Sequence, residues 1–262
     1  MTESLHNVRT RPLVGRVNSI DGLHMPAVGN HVRSFRLISS VLLPLVLLFA
    51  LTSPALGTPA ISCHCFQDRS FDPAEPRRVE PYLLATTHNS FLAVAFGQSK
   101  KEIVRLRMAG TAGADLWVAN YLAPKTGIPT GELLQLRKKA DSWLPVLAAR
   151  GIGSGQTGPI FGRVLAADGN DQALADAAAD ETLGTAAGTA PEELIQFRKR
   201  GADTGEIILS LIIAQRIGRS AIDLFAEVQA GRATWGELVD SVGIRPAEME
   251  AAVRSLLRQR ER

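Results

Sequence analysis

Two stretches of this chain align without a gap: "EIVRLRMAGTAGADLWVANYLAPKTGIPTGELL" at residues 102–134 and "ELIQFRKRGADTGEIILSLIIAQRIGRSAIDLF" at residues 193–225. The second stretch begins 91 residues after the first, six positions are identical, and nearly every apolar position stays apolar. After a slip of one residue, Trp143 aligns with Trp235 and Gly151 with Gly243. A fixed offset that preserves glycine and tryptophan predicts an internal duplication.

The spacing of apolar residues within each stretch is helical, and no convincing alternation with a period of two occurs in the chain. Short glycine-containing breaks follow each periodic segment, as expected where a helix ends in a residue with positive φ. Five Ser, Thr or Asp residues stand three positions before an acidic residue, the spacing of a capping box: Ser99/Glu102, Thr189/Glu192, Asp203/Glu206, Ser220/Asp223 and Thr234/Glu237. The sequence therefore predicts an all-α protein made of two tandem copies of an αα-hairpin repeat.

The copies divide the chain into segments. Residues 82–152 form copy 1 and residues 188–262 form copy 2. Between them, residues 153–187 combine a glycine-rich linker with an acidic, alanine-rich helix. This division is compatible with two small domains or with one α-domain.

The N-terminal 60 residues have the features of a leader. Arg33 and Arg36 precede an uninterrupted apolar run at residues 37–51, and small residues follow it up to Ala60. This order is typical of a cleaved secretory signal peptide, and the run is shorter than the roughly 20 residues that a membrane-spanning helix needs. We expect a translational start at Met25 or else an unusually long n-region, cleavage after Gly57 or after Ala60, and a periplasmic or secreted protein.

Removal of the leader changes the net charge. Five of the 29 basic residues and two of the 26 acidic residues lie in residues 1–60, which leaves 24 of each. A neutral mature chain gives no reason to expect a nucleic-acid partner or an anionic membrane surface. The partners expected from the sequence are an envelope protein or a second copy of the chain.

The only two cysteines flank a histidine, as Cys63-His64-Cys65, in an extended lead-in at residues 61–81. In an oxidising compartment, Cys63 and Cys65 are candidates for a disulfide. A metal site built from Cys63, His64, Cys65 and His88 is the alternative, although adjacent residues rarely point at one metal. The spacing does not fit haem attachment, and no other cofactor is expected.

The stretches "CHCFQDRSFDP" and "PYLLATTHNSFLA", together with the Gly- and Trp-punctuated helices, resemble exported bacterial proteins with helical repeats and no established activity. This resemblance implies export and a helical architecture. It supplies no catalytic residue.

The C-terminal sequence offers a third interpretation, a helix-turn-helix. Residues 234–242 would be its first helix and residues 246–259 its recognition helix, with arginines available for phosphate: Arg254, Arg258, Arg260 and Arg262. No nucleophile motif or phosphate-binding loop indicates an enzyme. The favoured interpretation is a secreted or periplasmic, non-enzymatic interaction or structural module, with a redox or metal-handling protein and a nucleic-acid-binding protein as alternatives.

Overall fold

Twelve α-helices and no strand occur in residues 69–258, the part of the chain that the structure, a computed structural model, describes. The all-α fold class expected from the sequence is therefore confirmed for these residues. All of them lie within one compact unit.

We call residues 80–166 the first half and residues 171–258 the second half. The helices of the first half are α1 (Glu80–Ala95), α2 (Lys100–Met108), α3 (Gly113–Thr126), α4 (Thr130–Lys138), α5 (Trp143–Ala149) and α6 (Pro159–Ala166). A 3₁₀ turn, Ser154–Gln156, lies between α5 and α6.

The second half contains the same number of helices in the same order. They are α7 (Asp171–Thr182), α8 (Pro191–Lys199), α9 (Thr204–Ile217), α10 (Ala221–Gln229), α11 (Trp235–Ser241) and α12 (Met249–Arg258). A π-helical turn, Leu183–Ala187, extends α7, and a 3₁₀ turn, Pro246–Glu248, precedes α12. Three pairs of corresponding helices begin and end 91 residues apart: α2 and α8, α3 and α9, and α4 and α10. The next pair, α5 and α11, is 92 residues apart.

Helices α3 and α9 lie at the centre because their sequences are apolar on every side. The run from Leu116 to Leu122 is buried throughout, and so are Ile207, Ile208, Leu209, Ile212 and Ile213. A helix that is hydrophobic all round must be covered on all faces. By contrast, α2 buries only Ile103 and α4 only Leu133. These short helices form the outside of the molecule.

The two halves pack against each other reciprocally. Helix α3 of the first half packs on α7 of the second, while α9 of the second packs on α1 of the first. At the edges, α6 packs on α7 and α12 packs on α1. Each half therefore buries its first helix against the central helix of the other.

Two hydrogen bonds join the halves in the same reciprocal way. The backbone N–H of Trp143, at the start of α5, donates to Asp171 Oδ1 at 2.8 Å. The backbone N–H of Trp235, at the start of α11, donates to Glu80 Oε1 at 2.8 Å. Asp171 and Glu80 are the first residues of α7 and α1. Each half thus caps a helix of the other half with an acidic side chain, which satisfies an N–H that would lack a partner.

The structure corrects two details of the sequence interpretation. Residues 153–187 contain α6, which the glycine-rich composition did not predict, and α6 packs on α7. Of the five predicted capping boxes, those at Asp203 and Thr234 are complete and Ser220 accepts one bond, but Ser99 makes no side-chain cap. Helix α8 begins after Ala190, so Thr189 does not cap it; Pro191 occupies its first turn.

Candidate binding cleft

A cleft of about 450 Å³ lies between helices of the first half and helices of the second. We call it the central cleft. It is lined by α1, the end of α2 and the start of α3 from the first half, and by α7 and the start of α9 from the second. Its volume falls in the range of small-molecule sites, about 300–1,000 Å³.

The lining of the central cleft comes in matched positions. Five pairs of lining residues are 91 residues apart: Pro81/Gln172, Leu84/Ala175, Ala85/Asp176, Gly113/Thr204 and Ala114/Gly205. Both halves therefore contribute residues at corresponding sequence positions to the lining. The members of a pair differ in size and charge, so the two walls of the cleft differ in chemistry.

His88 lies in the wall from the first half. Its Nε2 accepts a hydrogen bond of 2.6 Å from the indole N–H of buried Trp117, and the two rings meet edge to face. Burial and the nearby charge of Arg107 lower the pKa of His88 to about 4, against a smaller opposite effect of Asn89. At neutral pH the imidazole is therefore uncharged, with its acceptor nitrogen occupied by Trp117.

Arg107 and Arg198 occupy matching positions at the ends of α2 and α8. Each donates from Nη1 to the carbonyl four residues on, Arg107 to Thr111 at 2.9 Å and Arg198 to Ala202 at 3.2 Å. Arg198 also pairs with Asp180 at 2.8 Å and with Asp176 at 3.3 Å. Despite that pairing, burial raises the pKa of Asp180.

A second polar cluster lies at the start of α6. Glu181, a buried residue of α7, accepts hydrogen bonds from the N–H groups of Ile160 and Phe161 at 2.6 and 3.0 Å. Tyr121 donates to the same carboxylate at 2.6 Å and accepts from Gly158 N–H at 2.8 Å. Burial raises the pKa of the Tyr121 phenol. The cluster caps a helix with a carboxylate, and we assign it a structural role.

The predicted metal and disulfide residues are only partly within the described chain. Cys63, His64 and Cys65 lie outside residues 69–258. His88 lies in the central cleft, and a metal at its Nε2 would have to displace the Trp117 hydrogen bond. Within the described chain, no group of three or more His, Cys, Asp or Glu side chains is arranged to hold a metal ion.

The predicted helix-turn-helix corresponds to α11 and α12. Helix α12 packs on α1 and buries Met249, Val253 and Leu256. Arg254 and Arg258 are exposed, and Arg254 pairs with Glu250 at 2.6 Å. Arg260 and Arg262 lie outside the described residues.

The sequence predicted the helices that build the central cleft, but it did not predict the cleft. Among its lining residues, the sequence singled out His88 as a metal candidate and Asp203 as a helix cap. One signal was present in the alignment: Asp203 of the second copy, which lines the cleft, stands opposite the uncharged Ala112 of the first.

Comparison of the chain with protein-family models, curated proteins and solved structures gives no match. No helix within residues 69–258 has both the length and the apolar character needed to cross a membrane.

Proposed function

We propose that this protein is an exported, non-enzymatic interaction module whose ligand occupies the central cleft. The observation that carries this proposal is the cleft itself, about 450 Å³ in volume and lined from both halves by apolar surface with a few charged groups. Ligand sites of proteins commonly combine these features.

We also propose that the two halves arose by duplication. The equal offsets of the helix bounds, the reciprocal caps from Glu80 and Asp171, and the paired lining of the cleft support this origin. A site lined by corresponding positions of both halves is shared by both copies. Sequence divergence of one copy then changes the residues of one cleft wall and leaves those of the other wall unchanged.

A binding role fits His88 better than a catalytic one. A general base works best with a pKa near the operating pH. The pKa of His88 is about 4, and its Nε2 accepts the Trp117 hydrogen bond. The imidazole therefore holds Trp117 in place in the cleft wall.

Export rests on the leader in residues 1–60, with its basic flank, apolar run and small-residue exit. Intact-mass measurement of the protein from the cell envelope should show a chain that begins at residue 58 or 61. Recovery of a cytoplasmic chain that still carries residues 37–51 would contradict export.

The binding site is tested by filling the central cleft. Ala85→Phe places a ring inside it, while Ala149→Phe places the same ring on the exposed end of α5. Native mass spectrometry of gently purified protein should reveal a small molecule bound to the wild type and to Ala149→Phe and lost from Ala85→Phe. Equal occupancy in folded Ala85→Phe would show that the cleft is not the site.

The second candidate is a redox or metal-handling protein, favoured by the Cys63-His64-Cys65 motif. Thiol titration and metal analysis of the purified mature protein distinguish it from the first candidate. A stoichiometric metal, or a cysteine pair that cycles between thiol and disulfide under mild reductants, would support this alternative.

A further inference from the structure

We propose that α11 and two glutamates, Glu80 and Glu206, form a pH-sensitive latch between the two halves, which is closed in acid and loosens as the pH rises. We call these three parts together the latch. The proposal goes beyond the proposed function, because it concerns the contact between the halves and applies whether or not the central cleft binds a ligand.

One tryptophan connects α11 to glutamates from two other helices. The backbone N–H of Trp235 donates to Glu80, the first residue of α1, and its indole hydrogen-bonds to the side chain of Glu206, in the first turn of α9. Both glutamates are half-buried. Two carboxylates therefore meet at one residue, in a place where solvent and salt screen like charges less than at a fully exposed surface.

The matching junction of the first half contains a cation. Trp143 donates its backbone N–H to Asp171 and its indole N–H to Asp115. Arg137 forms ion pairs with both carboxylates, at 2.6 Å to Asp171 and at 3.1 Å to Asp115. The residue 91 positions after Arg137 is Val228. Among the described residues, no cation affects the second-half carboxylate that matches Asp115.

The surroundings of Glu206 favour its protonated form. Burial raises the pKa of Glu206, and the charges of Asp203 and Glu80 raise it further. Two hydrogen bonds lower the pKa without cancelling this effect, one from the Asp203 N–H at 2.9 Å and one from the Trp235 indole. The other titratable or charged groups of the helices around Glu206 do not affect its pKa: Tyr82 and His88 of α1, Asp223 and Glu227 of α10, Glu237 and Asp240 of α11, and Glu250, Arg254 and Arg258 of α12.

This difference in pKa makes closing of the latch depend on pH. When α11 is undocked, Glu206 is solvated and has its ordinary pKa, so between the two pKa values the closed state binds a proton that the open state lacks. Acid therefore favours the closed state. As the pH rises through this range, Glu206 loses its proton and repels Glu80, so the equilibrium constant for opening increases.

Hydrogen exchange followed by mass spectrometry measures opening at each junction in the purified protein. We expect the protection of α11, corrected for the intrinsic exchange rate at each pH, to fall by about threefold or more between pH 5 and pH 8. Helix α5, the matching helix at the first junction, is the internal reference. Its protection should change by less than about twofold over the same range, because Arg137 bridges its two carboxylates.

Two variants test the role of Glu206. Glu206→Gln keeps a hydrogen-bonding side chain but removes the charge, so the protection of α11 should no longer fall with pH relative to that of α5. Glu193→Gln is the matched control, because burial also raises the pKa of Glu193 but this residue lies on α8, outside the latch. It should keep the pH dependence of the wild type.

The comparison of α11 with α5 in the wild type decides the question even where a variant does not fold. Equal changes in the two helices would overturn the inference, and so would an unchanged fall in folded Glu206→Gln. Val228→Arg provides a second variant, since it places at the second junction the residue that the first junction uses. This variant should abolish the fall in α11 protection, and persistence of the fall in the folded variant would also overturn the inference.

Discussion

At the scale of single residues, His88 makes stability depend on pH. Its pKa is about 4 in the folded protein and about 6.5 in a solvated chain, so the unfolded state binds a proton that the folded state does not between these values. The free energy of unfolding should therefore fall as the pH drops from 6.5, by about 3 kcal/mol at most near pH 4.

His88→Gln isolates this effect because the amide can still accept the Trp117 hydrogen bond but does not titrate. Urea denaturation at pH 7 and pH 4.5 should show a smaller loss of stability for the variant than for the wild type. The carboxyls with raised pKa, such as Asp180, act in the opposite direction but are common to both proteins. An equal loss in both proteins would contradict the assignment.

Trp143 and Trp235, paired by the sequence alignment, are both buried. The Trp143 indole donates to Asp115 at 2.9 Å. The Trp235 indole hydrogen-bonds to the Glu206 side chain, and Glu206 lies 91 positions after Asp115. Trp→Ala at either position should lower the free energy of unfolding by about 3–5 kcal/mol, as large truncations in a core do. Ile195→Ala, at an exposed position, should cost less than about 0.5 kcal/mol. Near-neutral tryptophan variants would contradict the pairing.

At the scale of elements, the cap of α6 depends on a glycine. A Cβ at Gly158 would collide with the Glu181 carboxylate, whereas a Cβ at Gly153 meets no atom within 4 Å. The φ angles are −76° at Gly158 and −100° at Gly153, so alanine suits both backbones. Gly158→Ala should therefore destabilise the protein by about 1–3 kcal/mol through overpacking, and Gly153→Ala should be neutral or slightly stabilising. Equal melting temperatures for the two variants would show that Glu181 can move aside.

The helices could be predicted from the sequence to the extent that they depend on local signals. Gly97, Gly110, Gly127 and Gly151 have positive φ, and so do their counterparts Gly188, Gly201, Gly218 and Gly243. The spacing of apolar residues indicated the helices themselves, and the complete capping boxes at Asp203 and Thr234 marked the starts of two of them. Helix α6 was missed because its cap comes from Glu181, some twenty residues later in the chain, and a glycine-rich approach is normally a loop signal.

The central cleft could not be predicted, because it exists only where distant segments meet. Nothing local to Arg107 shows that it will lie beside Gly113 and His88, or that Asp176 will stand on the opposite wall. The pairs Ala85/Asp176 and Asn89/Asp180 obey the same offset of 91 residues, but they lie outside the two aligned stretches, and only the structure shows that Arg198 pairs with both aspartates.

At the scale of the whole molecule, the described fold should be independent of the two cysteines. A disulfide between Cys63 and Cys65 closes too short a loop to add much stability, since the entropic effect grows with loop length. The double Cys→Ser variant should therefore keep its helical circular dichroism and nearly the same melting temperature. Loss of the fold would mean that the cysteines organise the core, through a metal or a disulfide.

The last helix, α12, packs on the first, α1, in the same way that α6 packs on α7. The helices could therefore follow one another in the same order from a different starting point. A circularly permuted gene could begin at α7, run through α12, continue into α1 and end at α6. In the natural chain, residues 167–170 join α6 to α7, so a linker of similar length suits the new junction. Such a permutant should unfold in one transition and keep the ligand of the parent protein.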